Sequence, residues 1–339
     1  MALNLQKILA DINKKKFSSV YVLQGTESFL INEFMTTLKK NALIPDEEEF
    51  NYINFNMYET ELGLAIEEAE MMPFFGDYKV ISIDHPYFFT GEKKKSELIH
   101  NIDLLVNYLN NPSSTSILVF FAPYEKFDER KKIVKLLKKE AVIVDVSPLN
   151  EGQTRKFVLE YIENAGYTIQ PKSFDRLCYL CDMNLSRIMN ELEKLFLYSL
   201  ETKEIAMKAV VELVPKSLEH NIFDMTKFVM TGKKAEAMIL YEDLLKQGEE
   251  TIKINAILIS QFRLYLQVKL LQSIQYQQSN MVDMLKVHPY RIKLACGEVK
   301  KYDVNELGKI FDELVENDLK LKTGFMDKKM LFELFILST

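Results

Sequence analysis

Short apolar runs rich in β-branched residues alternate with amphipathic stretches over the first 148 residues of the chain. The apolar runs have the length and composition of buried strands, and they lie at residues 20–24, 52–56, 79–83, 117–121 and 142–146. Between them, apolar side chains recur every three to four positions, as at Leu30, Phe34 and Leu38, which is typical of helices that bury one face. We therefore predict an α/β domain in which helices cover both faces of a mainly parallel sheet.

From about residue 149 the strand pattern ends and helical periodicity continues. Helices are predicted at residues 151–165, 171–182 and 185–199, with a short fourth helix before Pro215. Longer amphipathic stretches at residues 252–274 and 304–321 predict a second helical bundle. We therefore expect three domains: an α/β domain at residues 1–148, a small helical domain at 149–214 and a larger helical domain at 215–339.

Composition favours helices over turn-rich β architecture, because the 339 residues include only 11 Gly and 9 Pro. The 43 Lys and Arg residues are outnumbered by 49 Asp and Glu residues, which gives a formal net charge of −6. A mildly acidic chain lacks the positive field that drives non-specific binding to phosphate, so contact with a nucleic acid has to be local or supplied by a partner. Basic runs at residues 14–16, 93–95 and 130–139 are open to two interpretations, solvated faces or local phosphate contacts.

The pattern of apolar residues also bears on location. No apolar run approaches the ~20 residues that a membrane-spanning helix needs, and the N-terminal residues lack the apolar core of a signal peptide. Three cysteines, an odd number in a chain of this length, are typical of a reducing compartment. We therefore expect a cytoplasmic protein with no membrane partner.

The turn after the first predicted strand is where a nucleotide-binding α/β domain carries its phosphate loop. Here the turn contains one glycine, Gly25, and no Lys-Ser or Lys-Thr pair, whereas a phosphate loop needs several backbone N–H groups, a lysine and a hydroxyl for Mg²⁺. The carboxylate of Glu27 would also repel a phosphate group. The sequence therefore predicts neither an ATP-hydrolysing site nor a bound cofactor.

Cys178 and Cys181 form a Cys-x-x-Cys motif, which is found in zinc sites and in redox-active pairs. A structural zinc site needs a second pair or nearby histidines, yet Cys296 is isolated and the four histidines lack the spacing of ligands. A redox pair would lie at a helix N-terminus, whereas this one falls late in a predicted helix. We therefore interpret both cysteines as core residues and predict no metal site and no catalytic residues.

Large apolar side chains crowd the segment MMPFFG at residues 71–76, between a helix predicted over residues 61–72 and the third strand. Pro73 discourages the helix from continuing, so Phe74 and Phe75 fall in a connection, and connections normally lie on the surface. Two interpretations are open for these rings. They pack back onto the sheet as a satellite core cluster, or they form an anchor for an apolar pocket on a partner protein.

A set of short segments, taken in order along nearly the whole chain, resembles the delta subunit family of the bacterial DNA polymerase III clamp loader. The segments are residues 20–27 (VYVLQGTE), 73–75 (PFF), 79–81 (KVI), 190–195 (NELEKL), 221–224 (NIFD), 261–263 (QFR), 288–293 (HPYRIK) and 318–324 (DLKLKTG). No one of them is diagnostic, but their order and spacing together are fairly specific.

The resemblance implies a degenerate AAA+ module followed by a collar. Residues 1–148 would form an AAA+-like α/β domain without a phosphate loop, residues 149–214 a small helical lid domain, and residues 215–339 a helical collar. Members of the family are similar to ATPase subunits yet do not bind ATP, so the missing phosphate-loop lysine is expected. The family works within a DNA-directed DNA polymerase complex without an intrinsic catalytic site of its own.

The same resemblance implies the partners. The domain of residues 1–148 would bind and open the β sliding clamp, so that the clamp is loaded on primed DNA. The collar would join the ATPase subunits and the delta prime subunit. In this family an apolar pair ahead of the third strand enters a pocket on the clamp, and Phe74 and Phe75 match it, with Met71 and Met72 beside them.

Two other classes of function stay open from the residues themselves. An autonomous nucleic-acid-binding protein would bind DNA tightly and in a salt-dependent manner as an isolated chain. A helical interaction scaffold outside the clamp loader would not bind the clamp at all. A test of clamp binding by the purified chain separates these classes from a loader subunit.

Overall fold

The computed structural model describes residues 2–44, 48–91, 98–324 and 326–338. The chain divides into two compact units, Met1–Gln153 and Thr154–Thr339. The predicted basic run at residues 93–95 lies outside the described residues. The division of the helical part near residue 215 remains a prediction.

Within the described residues of the first unit, five strands form one parallel sheet in the order β2-β3-β4-β1-β5. The strands are β1 (Val20–Gln24), β2 (Tyr52–Asn56), β3 (Lys79–Asp84), β4 (Ser116–Ala122) and β5 (Val142–Asp145). The helices are α1 (Ala2–Asn13), α2 (Ser28–Ala42), α3 (Glu48–Asn51), α4 (Leu62–Glu70), α5 (Ile102–Asn110) and α6 (Lys132–Glu140). The predicted α/β class is confirmed, and each predicted strand agrees with an observed one to within one residue at either end.

Both faces of this sheet are covered, which explains why the central strands are apolar throughout rather than alternating. Val22, Ile81 and Phe120 belong to a buried cluster that also contains apolar residues of α4, α5 and α6. On the other face the ring of Tyr21 lies 5.1 Å from that of Phe34 on α2, with both residues buried. The sheet is therefore a rigid support for the loops at its edges.

The second unit is mostly helical, as predicted. Its helices are α7 (Glu151–Asn164, which begins within the first unit), α8 (Pro171–Leu180), α9 (Leu185–Tyr198), α10 (Met207–Leu213), α11 (Leu218–Met230), α12 (Lys234–Lys246), α13 (Thr251–Ser273), α14 (Gln278–Leu285), α15 (Pro289–Glu298), α16 (Val304–Thr323) and α17 (Lys328–Ser338). Its largest helix, α13, buries apolar residues on most of its circumference, including Leu258, Phe262 and Tyr265. A cluster around α13 also takes in residues of α16 and α17, and it is the core of the part of this unit that follows α10.

The expectation that strands end near residue 149 is wrong in one detail. Two short strands, β6 (Thr168–Ile169) and β7 (Glu204–Ile205), pair in parallel within the second unit. Strands of two residues are too short to show an apolar alternation, and their pairing joins segments far apart in sequence, so the local pattern carries no sign of them. Among the described helices, none is both long enough and apolar enough to span a membrane.

Candidate functional site

The four predicted site residues lie together in an exposed connection between α4 and β3. Phe74 is 73% exposed and Phe75 is 45% exposed, and Met71 and Met72 are also exposed. The rings therefore do not pack back into the core of the sheet. An exposed group of four large apolar side chains on a rigid domain is typical of a protein-binding surface.

The connection, residues 71–78, begins earlier than predicted because α4 ends at Glu70 rather than at residue 72. The N–H of Met71 still donates to the carbonyl oxygen of Glu68, at 3.3 Å. The buried side chain of Lys79, the first residue of β3, donates to that same carbonyl at 2.9 Å and to the Glu68 carboxylate at 2.5 Å. One lysine therefore ties the last turn of α4 to the start of β3, which fixes both ends of the connection.

Asn51 fixes the middle of the connection. Its side chain is buried, at 2% exposure, and both of its polar atoms contact the main chain of the connection. The Phe74 N–H donates to Asn51 Oδ1 at 3.0 Å, and Asn51 Nδ2 donates to the Phe75 carbonyl oxygen at 2.8 Å. Gly76 then turns the chain with φ of +68°, a conformation that glycine adopts without steric cost. The two rings thus project from a backbone that is held in place.

A third ring, which the sequence reasoning missed, completes the surface. Phe50 is 58% exposed, and its ring centroid lies 6.0 Å from that of Phe74 and 6.1 Å from that of Phe75. Phe74 and Phe75 meet edge to face, with centroids 4.8 Å apart. We call Phe50, Phe74 and Phe75 the aromatic triad. The one feature of the sequence that could have pointed to Phe50 is its position as a lone aromatic residue beside the acidic residues that precede the second strand.

The chemistry of the triad is apolar contact. Each large apolar side chain that becomes fully buried contributes ~1.5–3 kcal/mol, and aromatic residues dominate binding hot spots. The three rings include no nucleophile and no general acid or base, so they can bind a partner but offer no chemistry of their own. Exposed acidic residues, Glu49, Glu70 and Asp77, lie within two residues of this surface along the chain.

The turn after β1 directs its backbone N–H groups towards the protein itself. The N–H of Gly25 donates to the carbonyl of Ala122 at 3.0 Å, and that of Glu27 donates to the carbonyl of Val146 at 2.8 Å. In a phosphate loop, backbone N–H groups at such positions point at the bound phosphate instead. The turn is therefore built as a support between strands rather than as an anion cradle.

The predicted core cysteines are buried. Cys178 lies in α8 and Cys181 directly follows that helix. Burial raises the pKa of the Cys181 thiol to about 12, which disfavours the thiolate that redox and metal chemistry require. Within the described part of the chain, no group of three or more potential ligands could hold a metal ion.

Acidic partners pair with three of the six basic residues in the run at residues 130–139. Lys138 lies 2.6 Å from Glu129, and Lys139 lies 2.7 Å from Glu140. Arg130 pairs with Asp128, whose pKa is lowered to about 2, chiefly by the hydrogen bond from that guanidinium. The run therefore presents a weaker positive field than its sequence suggests.

Comparison with known proteins places this chain in a family. The family model described as DNA polymerase III, delta subunit matches residues 21–147, and the model for the C-terminal domain of the DNA polymerase III delta subunit matches residues 219–339. The DNA polymerase III subunit delta of Bacillus subtilis (strain 168) is 37% identical over 326 residues, which cover 96% of this chain and 94% of the relative. The chain belongs to the DNA polymerase III delta subunit family.

More distant and structural relatives agree with this assignment to the delta family. The probable DNA polymerase III subunit delta of Aquifex aeolicus (strain VF5) is 25% identical over 251 residues, which cover 71% of this chain and 68% of the relative. The solved structure described as the Bacillus subtilis DNA clamp loader delta protein matches with a TM-score of 0.81 and 36% identity, covering 98% of both chains. The resemblance found in the sequence segments is thereby confirmed.

Proposed function

We propose that this chain is the clamp-loader delta subunit of the DNA polymerase III holoenzyme. In this role it binds the β sliding clamp and opens it, so that the clamp is loaded on primed DNA. Family membership along nearly the whole chain supports the role. The observation that carries the proposal is the exposed pair Phe74 and Phe75 on a backbone held by Asn51. We propose Phe74 and Phe75, with Met71 and Met72, as the clamp-binding residues.

Opening the clamp requires only a difference in affinity. A ligand that binds the open and the closed clamp equally well does not shift the equilibrium between them. Moving the ratio of open to closed clamp from 1:99 to 99:1 takes about 5.5 kcal/mol of differential binding. Phe74 and Phe75 are 73% and 45% exposed in the free chain, so burying the rest of both side chains against the open clamp alone would contribute ~2–4 kcal/mol. The pair can therefore supply a large part of the differential binding without any hydrolysis by this subunit.

The second unit offers a surface for the other loader subunits. Helix α17 is apolar on several sides. Leu331, Phe332 and Phe335 are buried, whereas Met330, Leu334 and Leu337 form an exposed stripe at spacings of four and three residues. We propose that this stripe is part of the collar, residues 215–339, that joins the ATPase subunits and the delta prime subunit. A lid domain at residues 149–214 would precede it.

Primed DNA is proposed as a partner within the assembled complex only. The isolated chain is expected to bind DNA only weakly, because its formal charge is −6 and lysines of α6 are paired with carboxylates. The proposed role at primed DNA within the polymerase complex supports a cytoplasmic location for this chain.

The first prediction tests the clamp-binding role with the double variant Phe74→Ala, Phe75→Ala. Loss of two anchor rings is expected to weaken binding of the purified full chain to the β sliding clamp by about 100-fold or more. Affinity is measured by biolayer interferometry with immobilised clamp. Tyr198→Ala is the matched control, because Tyr198 is an aromatic residue of similar exposure, 55%, at the end of α9.

A folded double variant with unchanged affinity for the clamp would show that the anchor assignment is wrong. Far-UV circular dichroism and a thermal melt establish that the variant is folded. Pull-downs with the clamp and with DNA, with and without the other loader subunits, separate the other two classes. Tight, salt-dependent DNA binding by the isolated chain would favour an autonomous nucleic-acid-binding protein, and absence of clamp binding by the unmodified chain would favour a scaffold outside the loader.

A further inference from the structure

We infer that the clamp-binding surface is built from two separate chain segments, with Phe50 as a third anchor and Asn51 as the positioning residue that orders the Phe74–Phe75 main chain. The inference rests on the proposed function, because it assigns two further residues to the same site. The partner it fits is a protein with an apolar pocket broad enough for three rings rather than for one pair.

The sheet brings these two segments together. β2 and β3 are neighbouring parallel strands, with Tyr52 opposite Val80. Parallel strands start at the same edge of a sheet, so the chain that leads into β2 lies beside the chain that leads into β3. Asn51 directly precedes β2, and Phe75 lies four residues before β3. Contact between these segments is therefore a consequence of sheet topology, although 24 residues separate Asn51 from Phe75.

Asn51 suits this position because its amide has one donor group and one acceptor atom, and each meets a complementary main-chain group. The acceptor Oδ1 takes the N–H of Phe74, and the donor Nδ2 reaches the carbonyl of Phe75. Aspartate would keep the acceptor and lose the donor, and leucine would lose both. The buried amide of Asn51 forms hydrogen bonds with two successive residues of an exposed connection. These bonds fix the direction in which the rings of the two residues project.

Phe50 supports the pair by packing and adds an exposed face of its own. Its ring is stacked on Phe74, with 24° between the planes, and meets Phe75 edge to face at 79°. These contacts restrict the rotamers of all three rings before binding, so less side-chain entropy is lost when the partner closes over them. With 58% of its surface exposed, Phe50 still has area to bury against the partner.

The test uses three single variants of the full chain, Phe50→Ala, Asn51→Leu and Asn51→Asp, with Tyr198→Ala as the control. We expect Phe50→Ala and Asn51→Leu each to weaken clamp binding about tenfold, mainly through faster dissociation. Hydrogen exchange at the Phe74 amide, measured without the clamp, is expected to accelerate most in Asn51→Leu and less in Asn51→Asp, which keeps an acceptor for that N–H but sets a second acceptor against the carbonyl oxygen of Phe75. Thermal melts identify any variant that loses its fold.

A double-mutant cycle separates positioning from general stability. If Asn51 acts by orienting the rings of Phe74 and Phe75, Asn51→Leu has little further effect on clamp affinity once Phe74→Ala, Phe75→Ala is present. The same tenfold loss in both backgrounds would overturn the positioning role, as would an unchanged rate of exchange at the Phe74 amide in Asn51→Leu.

Failure of this inference can be distinguished from failure of the proposed function. If Phe74→Ala, Phe75→Ala loses clamp binding while Phe50→Ala binds like the unmodified chain, the proposed function stands and the third anchor is overturned. If the unmodified chain does not bind the clamp, the proposed function and the anchor role of Phe50 fail together. The exchange measurement still decides the role of Asn51 in that case, because it needs no partner.

Discussion

Gly25 shows how closely single residues are constrained in the first unit. Its φ is +132°, and a Cβ atom built on it would lie 2.3 Å from the backbone nitrogen of Ser147 and 2.3 Å from the backbone carbonyl carbon of Val146. Those contacts come from the chain that follows β5, so the side chain is excluded by backbone that cannot rotate away. The glycine that opens this turn is thus required for packing rather than for binding phosphate.

The second prediction follows at the same scale. Gly25→Ala is expected to lower the free energy of unfolding by about 3 kcal/mol or more, since it combines backbone strain with a steric clash. Urea unfolding followed by circular dichroism measures the change. Gly63→Ala is the matched control, because its Cβ would lie 3.5 Å from Leu104 Cδ1, an ordinary contact, and alanine is the better helix former by about 1 kcal/mol. Equal stabilities for the two variants would contradict the packing role.

At the scale of elements, a buried polar contact joins the central helix of the second unit to a neighbour. Asn317 Nδ2 on α16 donates to Asn255 Oδ1 on α13 at 3.3 Å, and both residues are buried. Asn255 also lies 3.5 Å from a carboxylate oxygen of Asp318. Two long helices that pack through apolar residues could do so in several registers, and this contact favours the one in which the two amides meet.

The third prediction concerns this pair of helices. Asn255→Leu and Asn317→Leu are each expected to lower the free energy of unfolding by ~1–3 kcal/mol, since each leaves a buried amide without its partner. The double variant is expected to cost less than the sum of the two single variants, because no unpaired amide remains at the contact. Denaturant unfolding of the four proteins measures the coupling. Additive effects would mean that the two amides do not depend on each other.

At the scale of the whole molecule, burial of tyrosine and cysteine side chains sets a limit at alkaline pH. Burial raises the pKa of Tyr108 to about 12 in the first unit and that of Cys181 to about 12 in the second, and it also raises the pKa of Tyr265. In the unfolded chain these groups ionise near pH 10 for tyrosine and near pH 9 for cysteine. The unfolded state therefore loses protons first as the pH rises.

The fourth prediction is that the stabilisation from these buried groups is complete below about pH 9 and is lost between about pH 9 and 12. Each buried group contributes a slope of up to about 1.4 kcal/mol per pH unit once its unfolded form is ionised. Urea midpoints at a series of pH values measure the fall. Tyr108→Phe is expected to reduce the slope for the first unit, and an identical slope in that variant would contradict the assignment to Tyr108.

The candidate site illustrates how far sequence patterns reach. A proline after an apolar helix predicted that Phe74 and Phe75 lie in a connection, and the family resemblance selected them as anchors. Neither argument could reveal Phe50 or Asn51, because their roles depend on the pairing of β2 with β3, which brings together segments separated by more than 20 residues. Whether the rings of Phe74 and Phe75 are exposed was likewise undecided until the packing of α4 against the sheet was known.

Local patterns by themselves indicated the elements of this protein, and the resemblance of the ordered sequence segments indicated its family. Continuous apolar runs and periodicities of three to four residues reflect which strands and which helix faces are buried, and they extend over enough residues here to locate five strands and about half of the described helices. The tertiary structure decided which segments meet: the strand order, the pairing of β6 with β7, the close packing at Gly25 and the aromatic triad held by Asn51. The physical reason is that these features are contacts between residues distant in sequence, and a local pattern of burial does not specify its partner.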